Sequence, residues 1–119
     1  PMTERKPEWY WEKGLHDADI KNISLCSLDY DVRQADPIRN YLLVELDPRN
    51  AMFDTGVYAI RFYNAAVTAG SIDVVGTWWI DDELSYDGKK YMLTVHVGSR
   101  KKNGFFTVKF EYAAVSRSR

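Results

Sequence analysis

The sequence has little of what marks membrane, secreted or disulfide-bonded proteins. Its one cysteine, Cys26, cannot form a disulfide within the chain, and a lone thiol in an apolar run is usually a small core residue. No apolar stretch approaches the roughly 18 to 20 residues of a membrane-spanning helix, and residues 1–6 lack the apolar core of a signal peptide. We therefore expect no membrane association and a cytoplasmic location.

The sequence motifs of the commoner enzyme classes are also missing. There is no Ser/His/Asp catalytic spacing, no Gly-x-Gly-x-x-Gly, no Walker loop and no Cys-x-x-Cys. Paired carboxylates of the glycosidase kind stay open, because their separation is spatial and the chain has 17 acidic residues. We predict a protein that is not an enzyme, with no cofactor, no catalytic residue and no bound metal.

Length and composition are those of one folded domain. The 119 residues, 45% of them hydrophobic and 14% aromatic, predict a single domain over residues 1–119. The net charge of -1 hides an asymmetry: residues 1–87 hold all the acids except Glu111, whereas residues 88–119 hold half of the 16 basic residues. This split favours two complementary surfaces of one fold over a basic surface for an anionic partner.

Local patterns predict a mainly β domain with one short N-terminal helix. The helix is expected over Pro7 to Gly14, because proline suits a first turn and glycine suits the position after a last turn. Alternation of apolar and polar residues predicts six strands, and a phase change inside the first one predicts a bulge or a bend. The expected strands are 20–32, 41–46, 57–64, 72–80, 91–97 and 106–112.

Two dipeptides typical of tight turns connect the last three predicted strands. Asp87-Gly88 is expected to join the fourth strand to the fifth, and Asn103-Gly104 the fifth to the sixth. The short connections predict an antiparallel meander of about six strands, forming a sandwich or a strongly curved sheet closed by the helix.

The densest grouping of potentially reactive side chains is His16-Asp17-Ala18-Asp19. An imidazole and two carboxylates could serve as ligands of a metal-dependent enzyme, but such a site needs three or four ligands, and His96 is the only other histidine. The alternative is structural, with these side chains capping the junction between the helix and the first strand. The sequence favours the structural alternative.

Two groups of like charge are also interpreted as structural features and not as binding sites. Asp81-Asp82-Glu83 could bind a divalent cation through oxygen ligands, yet it lacks calcium-loop spacing, and we expect a solvated strand end. A basic set near the C-terminus could bind nucleic acid, but the rest of the chain is acidic, and basic residues at strand edges also prevent edge-to-edge pairing. We do not expect a nucleic-acid partner. The basic set consists of Lys89, Lys90, Arg100, Lys101, Lys102, Lys109, Arg117 and Arg119.

The aromatic content exceeds what a small core usually requires. Trp9, Tyr10 and Trp11 are consecutive, and Trp78 and Trp79 form a second cluster. Large rings serve as anchors at protein interfaces and sugar sites as well as in cores. Alternatively, Trp9 or Trp11 closes the open end of the sheet and meets Trp78 or Trp79 there.

The segment Trp11-x-x-x-x-His16-Asp17-Ala18-Asp19-Ile20, which leads directly into a strand, is similar to the start of several families of small bacterial proteins. These families include the immunity proteins of polymorphic toxin systems, and the likeness covers residues 9–25. The resemblance implies a protein that is not an enzyme and that binds and neutralises a partner toxin.

The sequence therefore leads to one main functional hypothesis. We expect a protein-interaction module, which the resemblance implies is of the immunity type, with an undefined oligomeric state. The alternatives are a small-ligand or carbohydrate-binding domain, a metal-dependent enzyme and a nucleic-acid binder. The candidate binding residues are His16, Asp17, Asp19, Trp11, Trp78 and Trp79.

Overall fold

A computed structural model of the chain describes residues 6–12, 14–53 and 55–117. Within these ranges the chain forms one antiparallel sheet of eight strands, in the spatial order β4-β7-β6-β5-β1-β2-β3-β8, and one short 3-10 helix, Pro48–Asn50. The strands are β1 (Ala18–Ser27), β2 (Asn40–Asp47), β3 (Ala59–Tyr63), β4 (Ala66–Gly70), β5 (Trp78–Tyr86), β6 (Tyr91–Gly98), β7 (Asn103–Phe110) and β8 (Tyr112–Ser116).

The sheet is curved because β3 continues almost directly into β4, and β7 into β8, with a bend at each junction. Only Asn64 and Ala65 separate β3 from β4, and only Glu111 separates β7 from β8. Since β3 pairs with β8 and β4 pairs with β7, the two segments lie side by side on both sides of the bend. Asn64 adopts a left-handed conformation at this point, with φ of 52°. The prediction of a mainly β, antiparallel fold is confirmed, but the predicted six-stranded meander is wrong, because the eight strands of this one open sheet do not follow sequence order, and the sandwich is not observed.

One hydrophobic core fills the concave side of the curved sheet. Alternate residues of the strands point inward, as the two-residue period of a strand requires. Strands from opposite ends of the spatial order contribute to the same cluster, so the curvature brings the two halves together. The buried side chains include Leu42, Val44, Ile60, Phe62, Trp79, Leu93, Val95, Phe106, Val108 and Phe110.

The prediction of a helix over Pro7 to Gly14 is wrong. The described residues of this segment form two turns, in which the Tyr10 N–H donates to the Pro7 carbonyl and the Gly14 N–H donates to the Trp11 carbonyl. Lys13 lies outside the described residues. So short a segment gains little from helix formation by itself, and contacts of its aromatic side chains with the sheet determine its conformation. Glu12, within the second turn, has a left-handed backbone, with φ of 58°.

The strand predictions are correct in type but not in number. Residues 66–70 form an additional strand, β4, and the last predicted strand is divided at Glu111 into β7 and β8. The predicted strand 72–80 is displaced, since β5 begins at Trp78 and ends at Tyr86. The first strand has a bulge at Lys21, ahead of the phase change between Leu25 and Cys26 that predicted one, and ends at Ser27 instead of Val32.

Of the two predicted hairpin turns, one is observed. Asp87 to Lys90 connects β5 to β6, with Gly88 at φ of 96°. The turn between β6 and β7 is formed by Ser99 to Lys102, whereas Asn103 and Gly104 are the first residues of β7. The Ser99 hydroxyl accepts from the N–H groups of Lys101 and Lys102 and so supplies the turn with its own cap. No helix in the described part of the chain is long and apolar enough to cross a membrane.

Gly70, at the end of the outermost strand β4, provides a test of this packing. Its φ is +75°, and a Cβ atom at this position would lie 2.1 Å from the backbone oxygen of Phe105. We expect Gly70→Ala to lower the free energy of unfolding by about 3 kcal/mol, because the backbone strain adds to a clash with a backbone atom that cannot move freely. Urea unfolding followed by tryptophan fluorescence measures this loss.

Gly88 is the matched control for this substitution. It also has a positive φ, but an added Cβ would meet nothing within 4 Å. Gly88→Ala should therefore cost only about 1 kcal/mol, which is the backbone strain alone. Equal losses in the two variants would contradict the close approach of β4 to β7.

Candidate functional site

A bulge in β5 creates the most unusual side-chain arrangement of the protein. The pairing with β6 shifts register between Trp79 and Asp81, which inserts Ile80 as an extra residue. In an uninterrupted strand Trp79 and Asp82 would point to opposite faces, but the extra residue places both on the inner face. The pairs that follow, Asp82 with Val95 and Leu84 with Leu93, continue in this phase. The bulge thus directs one carboxylate of the acidic run toward the core.

The Asp82 carboxylate is bound by three aromatic side chains. Its Oδ1 accepts from the Tyr10 hydroxyl at 2.5 Å, and its Oδ2 accepts from the indole Nε1 atoms of Trp11 and Trp79, each at 2.8 Å. Trp11 and Trp79 are buried, with their rings edge to face and their centroids 5.5 Å apart. We call these four residues the Asp82 cluster. Each of its donors has Asp82 as an acceptor, so a largely buried carboxylate is tolerated here.

Burial dominates the electrostatics of this cluster. Removal from water raises the pKa of Asp82, and the three hydrogen bonds, which favour the ionised form, do not fully offset this effect. The neighbouring Asp81 carboxylate raises the pKa of Asp82 further. Burial, followed by the hydrogen bond to Asp82 and its charge, raises the pKa of the Tyr10 hydroxyl well above its ordinary value. At neutral pH Tyr10 is therefore a neutral donor.

The aromatic segment that carries two of these donors is also held by packing. The ring of Trp9 lies against those of Tyr91 and Phe110, with centroids 5.3 and 5.7 Å away. The Trp11 ring lies against that of Phe62 as well as that of Trp79, and the Trp11 and Phe62 centroids are 6.4 Å apart. Edge-to-face aromatic pairs of this kind contribute roughly 0.5 to 1.5 kcal/mol each beyond the area that they bury. The N-terminal segment therefore covers part of the concave face.

A cavity of about 550 Å³ lies between the N-terminal segment, β5 and the segment that follows the 3-10 helix. Its lining is mainly apolar and aromatic, with a few polar groups, as is common for small-molecule sites. Met52 and Phe53 stand at its rim and are more than half exposed. The lining residues are Lys6, Tyr10, Glu12, His16, Met52, Phe53, Trp79, Ile80, Asp81 and Asp82.

The structure brings His16 and Asp17 together but separates Asp19 from them. The His16 Nδ1 atom donates to the Ile80 carbonyl, and its Nε2 lies 3.7 Å from an Asp17 carboxylate oxygen. Asp19 instead accepts from the Asn50 amide at 3.2 Å. Asp17 has a left-handed backbone, with φ of 71°, and its N–H donates to the Trp79 carbonyl at 2.7 Å. Of these three residues, His16 alone lines the cavity.

The predicted tryptophan sites divide between the two faces of the sheet. Trp11 and Trp79 belong to the Asp82 cluster, whereas Trp78 lies on the outer face and is 37% exposed. Trp11 contacts Trp79. This contact matches the alternative from the sequence, in which an N-terminal tryptophan meets Trp78 or Trp79. Because both indole N–H groups donate to Asp82, neither is free to bind a ligand through that atom.

The acidic run is not the solvated strand end that the sequence predicts. It lies in the middle of β5, and although Asp81 and Glu83 are exposed, Asp82 is largely buried. Sequence reasoning also missed Tyr10, Met52 and Phe53 as members of one site. The only signal in the sequence was an acidic residue three positions after a tryptophan, and without knowledge of the bulge those positions fall on opposite faces.

The basic set does not form one surface. Lys89 and Lys90 lie in the turn before β6, whereas Arg100 to Lys102 lie in the turn after it. An eight-residue strand is about 25 Å long, so the two groups lie at opposite ends of β6. Arg119 lies outside the described residues.

Comparisons with known proteins add no further assignment. No protein family, no curated protein and no solved structure matches the chain. Among the residues that the structure describes, no group of three or more His, Cys, Asp or Glu side chains is placed to hold a metal ion. The resemblance to immunity proteins stays a prediction.

Replacing Asp82 tests whether the cluster holds the N-terminal segment in place. In Asp82→Asn the amide nitrogen can donate but not accept, so at least one of the three aromatic donors loses its acceptor. We expect the free energy of unfolding to fall by about 1 to 3 kcal/mol. Thermal and urea unfolding at neutral pH measure this change.

The adjacent carboxylate is the control for this substitution. Asp81 is exposed and accepts a hydrogen bond from His96 Nδ1 at 2.6 Å. Asp81→Asn should change stability by less than about 1 kcal/mol, because exposed ion pairs contribute little. If Asp81→Asn were as destabilising as Asp82→Asn, the special role of the buried carboxylate would be disproved.

Proposed function

We propose that this domain binds a small organic molecule in the cavity beside the Asp82 cluster. The observation that carries the proposal is the cavity itself: about 550 Å³ of space with mainly apolar walls and a few polar groups. Sites for small ligands typically measure about 300 to 1,000 Å³ and combine these two kinds of surface. The proposal corresponds to the small-ligand alternative from the sequence, with Tyr10 and Phe53 in place of exposed tryptophans.

The rim of the cavity supports this proposal. Met52 and Phe53 are 60% and 53% exposed, and a bound molecule would remove some of this apolar surface from water. The Met52 N–H donates to the His16 carbonyl at 2.7 Å, so the rim is fixed to the residues that precede β1. The opposite wall is held by the hydrogen bonds of the Asp82 cluster. Hydrogen bonds therefore hold two opposite walls of the cavity in place.

A fragment screen with and without a rim substitution tests the proposal. Bound fragments should shift NMR signals of cavity residues, and Phe53→Ala should weaken their binding about tenfold, because it removes an apolar wall. Met92→Ala, at an exposed methionine of β6 that does not line the cavity, should leave binding unchanged. If neutral, cationic and anionic fragments all failed to perturb the cavity, the proposal would be abandoned.

We propose protein interaction as a second function, because a specific group of exposed apolar side chains favours it. The connection between β1 and β2 holds Leu28, Tyr30, Val32 and Ile38, and Val32 is 80% exposed. Single exposed apolar residues are ordinary, but several on one connection are typical of a surface that binds a partner. This is the kind of function that the resemblance to immunity proteins implies.

Site-specific cross-linking tests this second function. A photoreactive amino acid at position 32 should link the chain to one recurring protein in the native cytosol. The same residue at position 92, on β6, should not yield that product. Indistinguishable cross-linking patterns from the two positions would remove the support for a partner at this connection.

A further inference from the structure

The cavity already contains a cation against an aromatic ring. The Lys6 ammonium lies over the Tyr10 ring, 5.3 Å from its centroid, and both side chains line the cavity. An ammonium ion at this distance is attracted by the negative face of the ring, and the attraction grows where water is excluded. Tyr10 is suited to this role, because its hydroxyl is fixed by Asp82 and its ring orientation is thereby set.

Carboxylates outnumber cationic side chains among the described lining residues. Glu12, Asp81 and Asp82 contribute acidic groups, whereas Lys6 is the one lysine or arginine in the lining. The three bonds of the Asp82 cluster leave that carboxylate little capacity for a ligand. Glu12 acts on the same ring, since its charge contributes to the raised pKa of Tyr10. Asp81 accepts a hydrogen bond from His96 on the outer side of β5, so Glu12 is the acid best placed to attract a positive charge toward the cavity.

The remaining walls fit the apolar body of a ligand. Met52 and Phe53 form the rim, and Ile80 lies on the β5 side. A flexible methionine adapts its shape to different apolar groups, and an exposed aromatic ring offers a flat surface. A ligand with a charged head against the Tyr10 ring and an apolar body against Met52 and Phe53 would contact both kinds of wall.

We propose that the ligand of this cavity is an organic cation with an apolar body, such as a substituted amine, and that Lys6 occupies the place of its charged head in the free protein. This inference rests on the proposed small-ligand function and specifies its ligand class. Lys6 then acts as an internal competitor, which must leave the Tyr10 ring before the ligand binds. Its flexible side chain reaches solvent readily, so this displacement needs no change in the sheet.

Three probes of one ring size and different charge test the proposal. Benzyltrimethylammonium, benzyl alcohol and phenylacetate are titrated into the full chain by NMR, with chemical shifts of cavity residues as the readout. We expect the cation to bind at least tenfold more tightly than the other two. Its affinity should fall with added salt, because charge attraction is screened.

Two lysine variants and one acid variant identify the groups responsible. Lys6→Ala should raise the affinity for benzyltrimethylammonium about threefold or more, since the competitor is gone, and Glu12→Gln should lower it by a similar factor. Lys89→Ala, in the turn between β5 and β6, removes an equal charge away from the cavity and should have no effect.

The outcomes separate this inference from the proposed function. If benzyl alcohol or phenylacetate bound the cavity as tightly as the cation, or if Lys6→Ala weakened binding of the cation, the ligand class would be wrong while the small-ligand function stood. If none of the three probes shifted cavity signals, the cationic ligand class would be overturned, and the fragment screen would decide whether the cavity binds small molecules at all.

Discussion

The carboxylate of Asp82 is the group on which the arrangement of the N-terminal segment depends. An isolated buried carboxylate would be costly, and here three aromatic donors from two distant regions of the chain satisfy it. The same bonds attach residues 10 and 11 to a strand more than 70 positions later. Once this attachment exists, Trp9 reaches Tyr91 and Phe110, and Trp11 reaches Phe62. The same contacts of the N-terminal segment thus form a wall of the cavity and cover part of the core.

A single extra residue in β5 makes that arrangement geometrically possible. Ile80 shifts the strand by one position, which turns Asp82 inward and leaves Asp81 outside, next to His96. The carbonyl of the same residue accepts from His16, and the carbonyl of Trp79 accepts from the Asp17 N–H. The bulge therefore positions both sides of the site, and the conformation of residues 16 and 17 follows from its carbonyl groups as much as from their own side chains.

Strong alternation made the central strands predictable from the sequence, whereas long-range contacts made the site unpredictable. Phe106, Val108 and Phe110 on β7 are buried as their spacing indicates. The mostly exposed strand β4 has no such pattern, and it forms because β7 offers it a partner. The N-terminal turns and the burial of Asp82 follow from contacts between residues 10, 11, 79 and 82, which local propensity does not contain. Asn103-Gly104 is a favourable turn sequence, but Ser99 provides a competing turn four residues earlier.

The pairing of β1 with β5 is the shortest seam of the sheet, and it lies beside the cavity. It joins Ala18 to Trp79 and Asp19 to Trp78 in register and is extended by hydrogen bonds from the Asp17 and Ile20 N–H groups, whereas β5 and β6 are joined along nearly their whole lengths. Fluctuations that separate neighbouring strands start where the fewest hydrogen bonds must break together. Because Trp79 belongs to both the seam and the cavity, such breathing would vary the size of the opening and make it adaptable in shape.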